Sequence, residues 1–326
     1  MSSSLSSSPL SNPSTSNNLE TLNPSTFNSL TLHQQVILIT GASSGIGAAL
    51  PILLATQYSG TRLVLAARSQ DKLETIATRC RDLGAEVLVV ATDMADTEQI
   101  HALVAQALQK FGTIHAVVNN AGYGQMGPIE LVTPDAMRRQ FEVNLFGVIT
   151  LIQQVIPIFR QQGGGRIVNI SSIGGRVAFP LGGLYSTSKF ALEGLSDVLR
   201  MELEPFNIRV SVIEPGPVQT DFFETANQHL ESMITDPSQT AYRAALSDLT
   251  QLNQRLTQRA WSPEQVAAVI LKALHDRHPQ PRYVAATGGN LLLWLMTKVL
   301  PTRLVDRFWQ KFYGIDRIQQ DWQKNL

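Results

Sequence analysis

The chain has 326 residues, 44% of them hydrophobic, and carries 26 Lys and Arg against 26 Asp and Glu, a formal net charge of zero. That length and apolar content allow a large buried core in one domain or two small ones, and the neutral balance offers no basic surface for nucleic acid. The single cysteine, Cys80, excludes a disulfide framework and a thiolate metal site, and fits a reducing, cytoplasmic compartment.

Residues 1–34 are Ser, Asn, Pro and Thr with scattered Leu. Such a segment cannot bury enough apolar surface to offset its ordering entropy, and it reads as a disordered tail. The first Lys or Arg is Arg62, which argues against a secretory signal or an Arg-rich transit peptide. A folded unit is expected over 35–288. It opens with the apolar run 36–39, the mark of a strand buried on both faces. Thr40-Gly41-Ala42-Ser43-Ser44-Gly45-Ile46-Gly47 follows, then an apolar helix. A strand, a glycine-rich turn and a helix start together cradle an anion with backbone N–H groups and the helix dipole. The spacing is G-x-x-x-G-x-G, not the G-x-G-x-x-G of the dinucleotide fingerprint, and these eight residues alone read equally as an ordinary turn. Pro51 has no N–H for the Gly47 carbonyl, so the first turns of the helix should be distorted.

A second buried strand, 63–67, ends in Arg68 and Ser69. In a dinucleotide fold an acid near this point bonds the ribose 2′-OH, whereas an arginine accommodates a 2′-phosphate. A third strand at 86–91 leads to Thr92 and Asp93. A helix follows with Ile100, Leu103, Val104, Ala107 and Leu108 at the 3.6-residue period. The fourth strand, 116–118, ends in Asn119-Asn120-Ala121-Gly122. Thr133 is an N-cap with Pro134 at the first helical position, and the long apolar helix it opens contains Asn144, which must find hydrogen-bond partners. The fifth strand, 166–170, runs into Ser171 and Ser172. Tyr185 and Lys189 are four apart and share one face of a helix whose buried stripe is Leu192, Leu195, Leu199 and Leu203. A lysine ammonium beside a tyrosine lowers the phenol's pKa and makes it a usable acid or base, with Ser172 holding an oxygen in place.

A sixth strand, 210–213, leads to Pro215-Gly216-Pro217-Val218-Gln219-Thr220. Residues 221–260 are weakly periodic and are expected to form a substrate lid, with Phe222, Phe223, Met233, Ile234 and Tyr242 suggesting an apolar pocket. Ser262 to Gln265 is a capping box, and a last strand lies near 283–286. Strands alternating with helices predict an α/β fold, a doubly wound parallel sheet of Rossmann-like type. Ligands in such sheets bind at the carboxyl ends of the strands, where these special residues fall. His275 and His278 lack a suitable third ligand, and no metal is expected.

Taken together, Thr40-Gly41-x-x-x-Gly45-Ile46-Gly47, Asn119-Asn120-Ala121-Gly122, Asn144, Ser172, Tyr185-x-x-x-Lys189 and Pro215-Gly216 resemble the short-chain dehydrogenase/reductase family over roughly residues 34–288. The resemblance implies Tyr185 as general acid/base, Lys189 lowering its pKa and bonding the nicotinamide ribose, Ser172 holding the substrate oxygen and Asn144 anchoring a water in a proton relay. It also implies cofactor contacts from Gly41, Ser43, Ser44, Gly45, Ile46, Gly47, Arg68, Ser69, Asp93, Asn119, Ala121, Gly122, Pro215, Gly216, Val218 and Thr220. Arginine in place of an acid after the second strand goes with NADP(H) in such proteins. The implied function is hydride transfer between NADP(H) and a small carbonyl or alcohol substrate, with a homo-oligomer as the expected assembly. The alternative is an NADP(H)-binding sensor or interaction protein with little turnover.

Residues 289–326 form an amphipathic extension. The apolar run 291–300 is broken by Thr297 and Lys298 and falls far short of the ~20 residues that span a bilayer. Leu304, Val305, Phe308, Trp309 and Phe312 then form a stripe, with Arg303, Arg307 and Lys311 off it. Three of the four tryptophans (Trp294, Trp309 and Trp322) lie here, and residues 297–326 hold six Lys/Arg, Lys324 the last of them, against three Asp. Two uses fit: packing on the domain, a partner or the substrate mouth, the commoner fate of such a stripe, or peripheral contact with an anionic membrane.

Overall fold

The computed structural model of the chain describes residues 31–258, 260–318 and 321, the side chains of 248, 250 and 251 excepted. Residues 1–30 of the expected tail, with Trp322 and Lys324, lie outside the described residues. Residues 31–34 of the expected tail are described. Leu32–Gln34 is a 3-10 turn, and Leu32 is buried in the core.

The apolar runs form seven parallel strands: β1 (Val36–Thr40), β2 (Arg62–Ala67), β3 (Glu86–Ala91), β4 (Ala116–Asn119), β5 (Gly165–Ile170), β6 (Ile208–Pro215) and β7 (Arg282–Ala285). Their order is β3-β2-β1-β4-β5-β6-β7, so the chain reverses direction across the sheet between β1 and β4. Side chains alternate between faces, and both faces are apolar. Ile37 and Ile39 enter one core, Val36 and Leu38 the other. The first core is covered by α1 (Gly45–Gln57), α2 (Gln70–Asp82) and α9 (Pro263–His275); the second by α3 (Thr97–Phe111), α5 (Gly147–Gln161) and α6 (Gly183–Leu203). This is the doubly wound, Rossmann-like sheet expected from the strand–helix alternation.

Helix α1 runs unbroken through the buried Pro51, contrary to the distortion expected. The missing N–H removes one ladder bond, and the helix is closed before it by Ala48 N–H to the Ser44 carbonyl (3.1 Å) and after it by Tyr58 N–H to the Leu54 carbonyl (2.8 Å). The capping box at Ser262 forms as written, with Ser262 and Gln265 satisfying each other's backbone N–H groups. Helix α4 (Pro134–Phe141), capped by Thr133, continues through a π-turn, Glu142–Phe146, into α5. The whole run Pro134–Gln161 is long and apolar enough to cross a membrane by composition. Here Val148, Leu151, Ile152, Val155 and Phe159 are instead buried in the second core.

The stretch 221–260, expected to form a substrate lid, holds two helices, α7 (Phe222–Met233) and α8 (Arg243–Gln258). Their apolar residues Leu230, Ala245, Leu246 and Leu249 close on Leu181, with Tyr313, Ile315 and Ile318 from the C-terminal extension against them. That extension comprises α10 (Gly289–Trp294), a π-turn at Leu295–Val299 and α11 (Thr302–Phe312). It is held to α8 by the Arg243–Asp321 ion pair, at 2.6 Å.

Candidate active site

The carboxyl ends of β1 to β6 open into one cleft of about 1040 Å³. At its floor the turn after β1 folds as the sequence requires. Gly41 has φ +65°, a conformation that side chains disfavour, and a Cβ there would lie 2.8 Å from the Cα of Ala121. Gly47 has no room at all, since its Cβ would lie 2.1 Å from the Gly41 carbonyl oxygen. Asn120 locks this turn to the loop after β4. Its Nδ2 donates to the Thr40 and Gly41 carbonyls (3.0 and 3.2 Å), while Thr40 Oγ1 accepts from the Asn120 and Ala121 N–H groups. From the other side, Thr220 closes against Gly45, and Val218 is bridged to Trp261.

Of the residues singled out in the sequence, Gly41, Ser43, Ser44, Gly45, Ile46, Arg68, Ser69, Asp93, Ala121, Gly122, Ser172, Tyr185, Lys189, Pro215, Gly216, Val218 and Thr220 line this cleft. Gly47, Asn119 and Asn144 do not; they shape it from behind. Asn119 is 1% exposed and donates to Asn169 Oδ1 at 2.8 Å, inside the sheet. Asn169 in turn donates to Ser196, and is fully buried. Asn144 is committed to protein partners: Oδ1 accepts from the Tyr123 N–H (3.1 Å), and Nδ2 donates to the Tyr123 carbonyl (3.0 Å) and Ser188 Oγ (3.2 Å). Its side chain pins the loop after β4 instead of reaching the cleft.

At the far end of the cleft, Arg68 and Lys72 are exposed, and among the described residues neither forms an ion pair. Arg139 binds Asp93 there at 2.5 Å. Burial opposes charge on Asp93, but the Ala95 N–H, Arg139 and Arg68 together hold its carboxyl below the usual range. Arg139 was not visible in the sequence, because it meets Asp93 only through the fold. The same holds for His229 of α7, whose ring packs edge-on against Tyr123 with centroids 5.0 Å apart.

Tyr185 sits on the first turns of α6, beneath Phe222 of α7, with ring centroids 5.3 Å apart. Burial pushes its phenol up to about 12, against the opposing pull of a hydrogen bond from Ser172. Ser172 Oγ also accepts from the Gly174 N–H at 3.0 Å. The phenol's net shift is upward, so burial outweighs the lowering that the sequence led one to expect from Lys189. Lys189 Nζ donates to the Ile170 carbonyl at 2.8 Å and lies 5.8 Å from the Tyr185 ring centroid. Burial pulls Lys189 down to about 8, against the raising influence of Glu193. Desolvation of both groups outweighs their mutual electrostatics. Next to His275, Asp276 accepts the Tyr283 hydroxyl at 3.0 Å, and among the described residues no three His, Cys, Asp or Glu side chains gather to hold a metal.

The remaining wall is aromatic. Phe179, Phe222, Phe308, Trp309, Phe312 and Tyr313 line the end of the cleft beyond Tyr185, with Leu292 and Leu293 of α10.

The family model for short chain dehydrogenases matches residues 35–231, the span that holds the glycine-rich turn, Ser172, Tyr185 and Lys189. The chain belongs to the short-chain dehydrogenase/reductase family. As such it is an oxidoreductase with a nucleotide-binding fold. It is 30% identical over 284 residues to a 3-ketodihydrosphingosine reductase of Bacteroides thetaiotaomicron, covering 87% of this chain and 100% of that one. It is 32% identical over 252 residues to human 17-beta-hydroxysteroid dehydrogenase type 1, covering 76% of each. A solved short-chain dehydrogenase/reductase from Burkholderia phymatum, in complex with NAD, superposes with a TM-score of 0.71 at 28% identity, covering 80% of this chain and 92% of that one.

Proposed function

We propose that this short-chain dehydrogenase/reductase is an NADP(H)-dependent enzyme that moves a hydride between the nicotinamide and a carbonyl or alcohol carbon of a lipophilic small molecule. The observation that carries the proposal is the shared cleft: Tyr185 and Ser172 open onto the same space as the glycine-rich turn and Arg68. The residues fit the cofactor. Gly41 and Gly47 let the turn close tightly against Ala121 and Asn120, the turn starts a helix, and Arg68 with Lys72 supplies cations where an acid would select a free ribose hydroxyl. Bound there, NADPH supplies the hydride.

The protein's own part is the proton. Burial keeps Tyr185 protonated at neutral pH, so the phenol is a donor to a carbonyl oxygen that is becoming a hydroxyl. Ser172, hydrogen-bonded to that phenol, holds the same oxygen. The Lys189 ammonium, close to the ring, stabilises the phenolate that the transfer leaves behind. The aromatic wall beyond Tyr185 supports a lipophilic substrate, as do the names of the two relatives, a 3-ketodihydrosphingosine reductase and a hydroxysteroid dehydrogenase.

The test is NADPH oxidation by the full chain with a panel of aldehydes, long-chain ketones, retinoids and steroids. We expect turnover on at least one ketone. Tyr185→Phe, which keeps the ring and removes the proton, should bind NADPH normally and turn over about 10²-fold more slowly or worse. Saturable NADPH binding without oxidation of any panel member would favour a sensor instead. Near-wild-type turnover by Tyr185→Phe would remove the residue from its role.

A further inference from the structure

Helix α11 presents three parallel rows of side chains. Val305, Trp309 and Tyr313 point inward and are partly buried. Leu304, Phe308 and Phe312 form the next row and are 47%, 44% and 39% exposed. Arg303, Arg307 and Lys311 form the row beyond, fully on the surface, and among the described residues none of them is in an ion pair. An α-helix places residues four apart above one another, so the three rows are neighbouring strips. Trp309 and Tyr313 of the inward strip and Phe308 and Phe312 of the next one line the cleft, while Leu304 and the cationic row do not.

The exposed strip is not isolated. Leu291 and Trp294 of α10 are 66% and 56% exposed, and Val299 in the following turn is 47% exposed. Six of the thirteen large apolar residues that are exposed among the described residues thus fall within 291–312. Scattered exposed leucines need no explanation, but a contiguous patch of this kind marks an interaction surface. Its rim is cationic: residues 289–312 hold four Lys/Arg against one Asp. Phe308 and Phe312 belong both to this patch and to the lining of the cleft, so the patch adjoins the aromatic end of the cleft.

We infer that α10 and α11 dock the mouth of the cleft onto an anionic lipid surface, with α11 lying in the interface plane. Charge selects this occupant over a second copy of the chain, since two such patches face to face would set cation against cation. Aromatic and aliphatic side chains flanked by Lys and Arg are the composition of an interfacial helix. If the proposed reaction is also right, lipophilic substrate passes from the lipid directly into the cleft. That clause rests on the functional proposal; the docking does not.

The test uses the full chain and needs no substrate. Co-sedimentation is measured with phosphatidylcholine vesicles, with and without phosphatidylserine, beside gel filtration and NADPH binding. The wild type should pellet with the phosphatidylserine vesicles at low salt and be released as salt rises. Arg303→Glu/Arg307→Glu/Lys311→Glu should weaken vesicle binding about 100-fold or more, on the basis of roughly fivefold per cation. Leu291→Ser/Trp294→Ser/Leu304→Ser, all outside the cleft lining, should abolish pelleting and leave NADPH binding intact. Wild type that stays in the supernatant overturns the inference. So does equal binding to both vesicle types, and so does a wild-type dimer that either variant converts to monomer without any vesicle binding.

Discussion

At the scale of single residues, what the sequence made legible is what is local. Tyr185 and Lys189 are four apart on one helix, so their shared face could be read directly. Their ionisation could not. The phenol's rise to about 12 and the ammonium's fall to about 8 come from burial, which the whole fold creates. The Arg139–Asp93 pair, 46 positions apart, was invisible for the same reason. Cofactor choice is a residue-scale question. Arg68 is the unpaired cation at the end of β2, so Arg68→Ala should weaken NADPH far more than NADH, and Ala67→Asp should add repulsion against a 2′-phosphate. Fluorescence titration with both cofactors checks this, and equal curves for the wild type would sink the preference.

At the scale of elements, β-strands and regular helices were readable because each carries its period in its own residues. The stretch 221–260 was not. Helices α7 and α8 are organised by contacts with Leu181 and the C-terminal segment, far away in sequence. Asn144 shows a related gap: its need for partners was legible, but not that Tyr123 and Ser188 would supply them. The π-turn that carries it joins α4 and α5 and clamps the loop after β4 through two hydrogen bonds to Tyr123, with a third to Ser188 of α6. Asn144→Leu keeps the volume and removes the clamp, leaving the Tyr123 N–H and carbonyl without it. We expect a stability loss of about 2–4 kcal/mol, with weaker cofactor binding. An unchanged urea midpoint would show that the clamp contributes little.

At the scale of the molecule, strand–helix alternation was enough to fix the architecture, because a parallel sheet needs cover on both faces. Its pH response follows from one buried ring. His115 Nδ1 accepts the Val36 N–H at 2.9 Å, and burial, with Arg62 nearby, pushes the imidazole from 6.5 down to about 4. The unfolded chain therefore binds a proton that the folded chain refuses between those values. Stability is fully present above pH 6.5 and falls as pH drops toward 4, by on the order of 3 kcal/mol. Asp93 and Asp197, whose carboxyls are held low, add their losses further down, from about their unfolded pKa. Urea midpoints from pH 7 to 4 should show the slope, and His115→Gln should flatten it; a flat wild-type profile would refute the assignment.

The strand order also sets an order in time. Ribosomes add roughly 5–20 residues per second, and domains begin to fold as they emerge. Strands β1, β2 and β3 leave as neighbours and can pair at once. Strand β4 meets β1 across 78 positions, through Thr40 and the Val118 carbonyl, and so arrives seconds later. Tyr185 follows, and α11 comes near the end. A nascent chain arrested after β7 would hold Ser172, Tyr185 and Lys189 but leave the aromatic end of the cleft without α11. Such chains should bind a hydrophobic dye more strongly than the full protein. On this view α11 covers the aromatic end of the cleft only after Tyr185 and its neighbours are already in place.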